Sequence, residues 1–397
     1  MASARRRSSE VSRSPRNPFA AARRSGRSAP HRSPLQSASV RHPPVIEEVQ
    51  LLDVLSALVI VSVAVVLLFD YTNGFHDASN IIATPIASRA LTPIQAVTIV
   101  ATFEFLGPLL GGTAVANTIG KFVSLEDVTT MLSVTIILCG LAGAIFWNLL
   151  TWWFGIPSSS SHALVGGLTG AVLIAVGSDH VIWGFQQLAE GHLTGITKIL
   201  LALILSPILG FWLGFFIHRL VFFLFRGAKP SVNRLFKRMQ IFSCAGLAFA
   251  HGANDAQKSM GIVTLALLSG GYLETFEVPF WVILSCALAI SLGILSGGWR
   301  IVRTGGFGIF KVRPIHAVDG QLTSAAVVFG ASMVGAPVST THVVSSSLMG
   351  IGASERPKAV RWAKAKEIVS TWIITIPGAG AVSVLTYLLV DAALDMG

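Results

Sequence analysis

The sequence predicts an all-α polytopic membrane protein made of two inverted-topology repeats, with broken helices and re-entrant hairpins. One observation behind this is compositional: 52% of the 397 residues are hydrophobic and only 12% charged, where a soluble globular chain carries roughly a quarter charged residues. The other is internal repetition. Asn73-Gly-Phe-His-Asp-Ala-Ser-Asn80 returns as His251-Gly-Ala-Asn-Asp-Ala-Gln-Lys258, and Pro157-Ser-Ser-Ser-Ser-His162 returns as Pro337-Val-Ser-Thr-Thr-His342, at offsets of 178 and 180 residues. Two unrelated polar motifs do not recur at nearly one offset by chance, and polar groups at bilayer depth mark sites.

Taken in order, residues 1–50 form a Ser/Arg/Pro-rich tail. Its first 41 residues hold ten arginines against Glu10, so nearly all of the +10 net charge belongs to it. Such a composition builds no packed core and predicts a disordered extension. An organelle transit peptide has the same composition, but nothing else in the chain favours one, and no nucleic-acid partner is expected. Apolar runs at about 51–72, 94–116, 129–153, 197–225, 278–297 and 367–392 are each long enough to cross a core about 30 Å thick as a helix. The expected division is a first repeat over 51–225, a basic linker over 226–238 and a second repeat over 239–397. The helix after 51 is expected to break at the first motif, and the one after Met239 at the second. Leu106 to Gly112 resembles Leu292 to Gly298, with glycines spaced for close helix contact. Cys139, Cys244 and Cys286 have no paired spacing and are expected to be small core residues.

Loop charge sets the orientation. Segments 226–238, 298–316 and 354–366 are rich in Lys and Arg, whereas 178–196 and 271–279 carry Asp179, Glu190, Glu274 and Glu277 and no Lys or Arg. The basic set is therefore cytoplasmic and the acidic set outside. For 298–316 and 354–366 to share a side, residues 322–353 must enter and return, which places the Ser/Thr motif at the tip of a hairpin. Residues 129–177 do the same from the other face. A single crossing over 51–87 leaves the basic tail outside, against the charge rule, which long tails obey poorly.

A broken helix exposes backbone N–H groups, and Ser159, Ser160, Ser161, Ser339, Thr340 and Thr341 add hydroxyl donors, a set suited to an oxyanion. Asp77 and Asp255, with the amides of Asn80, Asn254 and Gln257, offer oxygen ligands to a small cation or a proton. His76 lies beside Asp77 and can carry a proton. A lone Ser run more often back-bonds to its own helix and a lone buried His is more often structural; duplication favours the functional reading. His162 and His342 stay open between donating to a substrate and pinning the hairpins. Glu104 stays open between a proton relay and a structural partner of the other half.

These motifs, with Trp147 to His162, closely resemble the inorganic phosphate transporter (PiT) family, in particular its bacterial low-affinity Pit-type members, from about Leu51 to the C-terminus. The resemblance implies a symporter for inorganic phosphate in a bacterial plasma (inner) membrane, an organelle membrane being second choice. Ser159, Ser160, Ser161, Ser339, Thr340, Thr341, Asn254 and Gln257 would bind substrate, and Asp77, Asp255, Asn80 and His76 the coupling ion. No cofactor is expected beyond the co-transported proton or sodium, with a divalent metal travelling on the phosphate as a variant. The partners are phosphate and the lipid bilayer, with a homodimer left open. His76 resembles the proton-coupled bacterial type, since many sodium-coupled members have asparagine there. Rival readings are a sulfate permease and an intramembrane hydrolase built from a hairpin Ser, His162 or His342, and Asp77 or Asp255; catalysis needs one asymmetric constellation, which two near-equal copies do not supply.

Overall fold

A computed structural model describes residues 45–296 and 312–394. The arginine tail and most of loop 298–316 lie outside them. The described residues form twelve α-helices: α1 (Val45–Ala87), α2 (Pro93–Leu110), α3 (Ala114–Gly120), α4 (Thr130–Phe154), α5 (Ser160–Ala175), α6 (Phe185–Ala189), α7 (Gly195–Leu224), α8 (Val232–Ser269), α9 (Phe280–Ser296), α10 (Pro314–Met333), α11 (Thr340–Glu355) and α12 (Trp362–Leu394). Among the described residues five stretches are long and apolar enough to cross a membrane: Asp53–Ala87, Pro93–Leu110, Thr130–Phe154, Gly195–Leu224 and Ala365–Ala393. Along α7 a row of exposed apolar side chains, Ile204, Ile208, Trp212, Phe216 and Leu220, is spaced four apart, as a helix facing lipid requires. Cys139, Cys244 and Cys286 are buried and free.

The hairpins form where the polar repeats predict them. α4 and α5 make the first, α10 and α11 the second. Their turns pass through Gly155 and Gly335, at φ 66° and 65°, a left-handed conformation that costs a residue with a Cβ. Ser159 and Ser339 then cap the returning helices by accepting from the N–H groups of His162 and His342, at 3.3 and 3.4 Å.

The expected breaks at the two motifs are absent. α1 runs for 43 residues and α8 for 38 without interruption, so the motif glycines do not release backbone groups. They serve close approach instead. A Cβ on Gly74 would strike the Ile290 carbonyl, and one on Gly252 the Glu104 carbonyl. The matched glycines of the neighbouring helices complete the crossings, Gly107 against the Phe249 carbonyl and Gly293 against the Tyr71 carbonyl. A break falls instead between the motifs: the run over 94–116 stops at Leu110, turns through Gly112 at φ 77°, and restarts as α3.

Packing is exchanged between the halves. α1 crosses α9 and α8 crosses α2; α12 packs on α5 and α7 on α11. Each half therefore covers the apolar faces of the other.

Valine at Gly107 or Gly293 is expected to lower stability by roughly 1–3 kcal/mol through overpacking, read as the melting temperature of the purified protein in detergent. Gly246→Ala, where a Cβ meets nothing within 4 Å, should be neutral or better. Single cysteines at the exposed Arg234 and Glu274 are expected to label from opposite faces of the membrane, and labelling from one face refutes the orientation drawn from loop charge.

Candidate functional site

α1 and α8 each carry one motif as a short polar stretch of an otherwise apolar helix, and they meet the hairpin tips there. The resulting site is closed. Asp77, Asp255 and every side chain bonded to them are at most 3% exposed. Buried carboxylates need donors, and each has them. The Oδ1 atom of Asp77 lies 2.8 Å from His76 Nδ1 and accepts from Asn80 Nδ2 at 3.1 Å and Thr341 Oγ1 at 3.2 Å. The Oδ1 atom of Asp255 accepts from Lys258 Nζ at 2.7 Å, and its Oδ2 from Asn73 Nδ2 at 3.2 Å.

His251 ties the two together. Its Nε2 lies 3.7 Å from Asp77 Oδ2 and 3.5 Å from Asp255 Oδ2, while Nδ1 is hydrogen-bonded to Glu104 on α2. Asp77, His251 and Asp255 each turn one ligand atom into a cluster within 4.8 Å, a donor set that fits a cation. The sequence left Glu104 open; the structure makes it the partner of His251 in the other half.

The hairpins close over this pair. Ser161 Oγ donates to the Val338 carbonyl at 3.0 Å, and the rings of His162 and His342 lie 4.6 Å apart. Both histidines pin their hairpins: His162 Nδ1 is 2.8 Å from Ser159 Oγ, and His342 stacks on Trp372. The starts of α5 and α11 thus meet mid-molecule.

Several expected substrate donors are spent on structure. Gln257 accepts from the N–H groups of Val115 and Ala116 at 2.7 and 3.3 Å, so it caps α3 and does not face the carboxylates. Asn254 grips the second hairpin, donating to Ser332 and the Ala336 carbonyl and accepting from the Val338 N–H. Ser159 and Ser339 are helix caps. Among the six hairpin hydroxyls, Thr340 has one long bond of 3.5 Å to Asp255 and Ser160 has none among the described residues. The residues the sequence did not single out are Asn73, His251 and Lys258. Their signal was present: each sits in a motif, and the 178-residue offset pairs Asn73 with His251 and Asn80 with Lys258.

A second cluster lies where the basic segments converge. His218, His316 and Glu355 group together, with His218 Nδ1 2.6 Å from Asp319 and Arg313 donating to Glu355 at 2.6 Å. It contains its own cation and clasps α7, α10 and α11.

Comparison with known proteins gives the family of the chain. The sequence profile of the phosphate transporter family matches residues 73–230 and 225–383. The chain is 42% identical over 342 residues to a protein of Bacillus subtilis named "probable low-affinity inorganic phosphate transporter", covering 86% of this chain and 99% of that one. A protein of Rhizobium meliloti with the same name is 43% identical over 331 residues, covering 83% and 95%. Among solved structures, one titled "The sodium-dependent phosphate transporter" superposes with a TM-score of 0.73 at 26% identity, covering 85% of this chain and 99% of that chain.

Glu104→Ala leaves His251 without its buried partner and is expected to destabilise by about 3–5 kcal/mol. Adding His251→Ala should cost less than the sum of the single changes. The check is a double-mutant cycle of melting temperatures; strict additivity refutes the pairing.

Proposed function

The chain belongs to the phosphate transporter family, and from that premise we propose that it is a secondary active symporter carrying inorganic phosphate across the plasma membrane together with protons. One observation supports this most: two helix N-termini, those of α5 and α11, converge beside two buried carboxylates. Two N-termini turned toward one point bring two partial positive charges together, an arrangement relieved by an anion between them. The carboxylates then require a cation or protons before that anion can sit next to them. Oxyanion and cation are bound as a pair, which is the condition for coupled transport.

With the hairpins closed, Ser161 is engaged by the Val338 carbonyl of the other hairpin and Thr341 by Asp77 of α1. Parting the hairpins from each other frees Ser161, and withdrawing the second from α1 frees Thr341; the hydroxyls of Ser160 and Thr340 are uncovered with them, so donors for phosphate become available as the site opens. The same opening uncovers Asp77 and Asp255. Exchange between two open forms, one toward each face, moves the pair across.

Protons are preferred as the coupling ion because of His76. Its Nδ1 lies 2.8 Å from Asp77 and its Nε2 3.4 Å from Ser158, so a side chain able to carry a proton links the carboxylate to the first hairpin. Sodium is the second reading. The structural neighbour is titled sodium-dependent, and Asp77 with Thr341 would offer oxygens to it. Sulfate is less suited as cargo, since protonated phosphate donates a hydrogen bond to a buried carboxylate and sulfate has none to give. A divalent metal bound to phosphate as joint cargo is a further variant.

In proteoliposomes an inward pH gradient without sodium is expected to drive phosphate accumulation that a protonophore collapses. Asp77→Asn and Asp255→Asn should each abolish accumulation, and His76→Asn weaken it. Uptake that needs sodium and ignores pH refutes proton coupling; full accumulation by both aspartate variants refutes the site. Competing sulfate and added magnesium in the same vesicles test the cargo.

A further inference from the structure

The two halves of the site are built on one plan, and among the places where they differ is the group that joins each carboxylate to the opposite hairpin. The 178-residue offset aligns Asn80 with Lys258, and the 180-residue offset aligns Thr341 with Ser161. In the first half Asn80 Nδ2 donates to the motif carboxylate, Asp77 Oδ1, at 3.1 Å and to the opposite hairpin, Thr341 Oγ1, at 2.7 Å. In the second half Lys258 Nζ makes the equivalent pair: Asp255 Oδ1 at 2.7 Å and Ser161 Oγ at 2.5 Å, with the Val338 carbonyl added at 2.9 Å. An amide bridges one carboxylate to its hairpin; an ammonium bridges the other.

We propose that Lys258 is a tethered cation that fills the second of two pseudo-equivalent cation positions, so that only the Asp77 half takes up an ion that travels. This rests on the reading of the chain as a cation-coupled phosphate symporter. A carboxylate oxygen, a hydroxyl oxygen and a carbonyl oxygen around one point form the oxygen shell a hard monovalent cation prefers. Here the Lys258 ammonium occupies it. Lys258 and Asp255 are each 1% exposed, and a buried charge persists only when paired, so each holds the other ionised. A charge carried on the chain needs no capture from solution, because its local concentration is fixed by its tether.

The consequence differs between the halves. Asp255 stays compensated when no solute is bound. Asp77 has an amide, a hydroxyl and the imidazoles of His76 and His251 around it but no ammonium, so its compensation changes with the protons on those rings or with a transported ion. Lys258 also touches both hairpins, through Ser161 and Val338, so the fixed cation latches the closed form from α8.

Lys258→Asn reproduces the Asn80 arrangement in the second half and opens the position to an ion from solution. In proteoliposomes this variant is expected to show uptake stimulated about tenfold or more by sodium over choline, because the competent state is then populated only with the ion bound. Charge moved per phosphate should rise by one elementary charge in membrane electrophysiology. In detergent, sodium should raise the melting temperature of the variant more than that of the parent protein, and Asp255→Asn added to it should remove that rise. The same ion response and charge as the parent, or loss of the folded variant in both salts, overturns the proposal, since an ion then does not replace the ammonium. If the parent protein shows no cation-driven phosphate uptake at all, the symport reading itself fails; if it does and Lys258→Asn keeps its ion dependence, only the tethered cation fails.

Discussion

Everything in the centre of this molecule depends on compensating two carboxylates that have been taken out of water. Asp77 and Asp255 lie within reach of one imidazole nitrogen of His251, at 3.7 and 3.5 Å, and two like charges so placed repel unless other groups hold them. The holders come from every element around them. His76 and Asn80 are on α1, Asn73 reaches across to Asp255, Lys258 stands on α8, and Thr341 and Ser161 belong to the hairpins. Any movement of a hairpin therefore changes the electrostatic balance at the carboxylates, and any change of charge at the carboxylates changes what holds the hairpins.

Such a site tolerates little slack, and the packing around it is correspondingly close. The motif glycines let α1 and α8 approach α9 and α2 to backbone contact, and the exchange of partners between halves means that neither half has its apolar faces covered alone. Membrane helices gain little from burying apolar surface against one another, so close van der Waals contact through small residues takes over that role. The same residues that place Asp77 and Asp255 side by side thus hold the two halves together.

Near-symmetry with local asymmetry is the functional content of the site. The hairpins meet with equivalent turns and caps, which suits the alternating opening proposed for the site. Three aligned pairs break the equivalence: Asn73 with His251, His76 with Asn254, and Asn80 with Lys258. Each puts a group able to carry charge on one side and an amide on the other, so the two carboxylates are compensated by different chemistry. An enzyme built here would need one complete constellation of nucleophile, base and orienter; membership of a transporter family and the division of the polar groups between two partial copies agree in pointing away from catalysis.

The membrane character, the duplication and the hairpins were legible in the sequence alone, and the two aspartates stood out there as candidates, because hydropathy, glycine and polar residues at fixed offsets are local or repeated patterns. What the sequence could not decide was how each polar group is spent. Gln257 and Asn254 look like site donors beside Asp255, yet one caps α3 and the other grips a hairpin turn, since a side chain two residues or one residue away on a helix points elsewhere. The motif glycines look like helix breaks, yet they mark crossings, and whether glycine ends a helix or admits a neighbour depends on what lies against it. Lys258 sat in plain view in the motif; that it bonds Asp255, Ser161 and Val338 at once could not be read there. These partnerships join residues 147 positions apart for Glu104 with His251 and 264 for Asp77 with Thr341, and contacts at that separation are set by how the helices pack, which only the tertiary structure fixes.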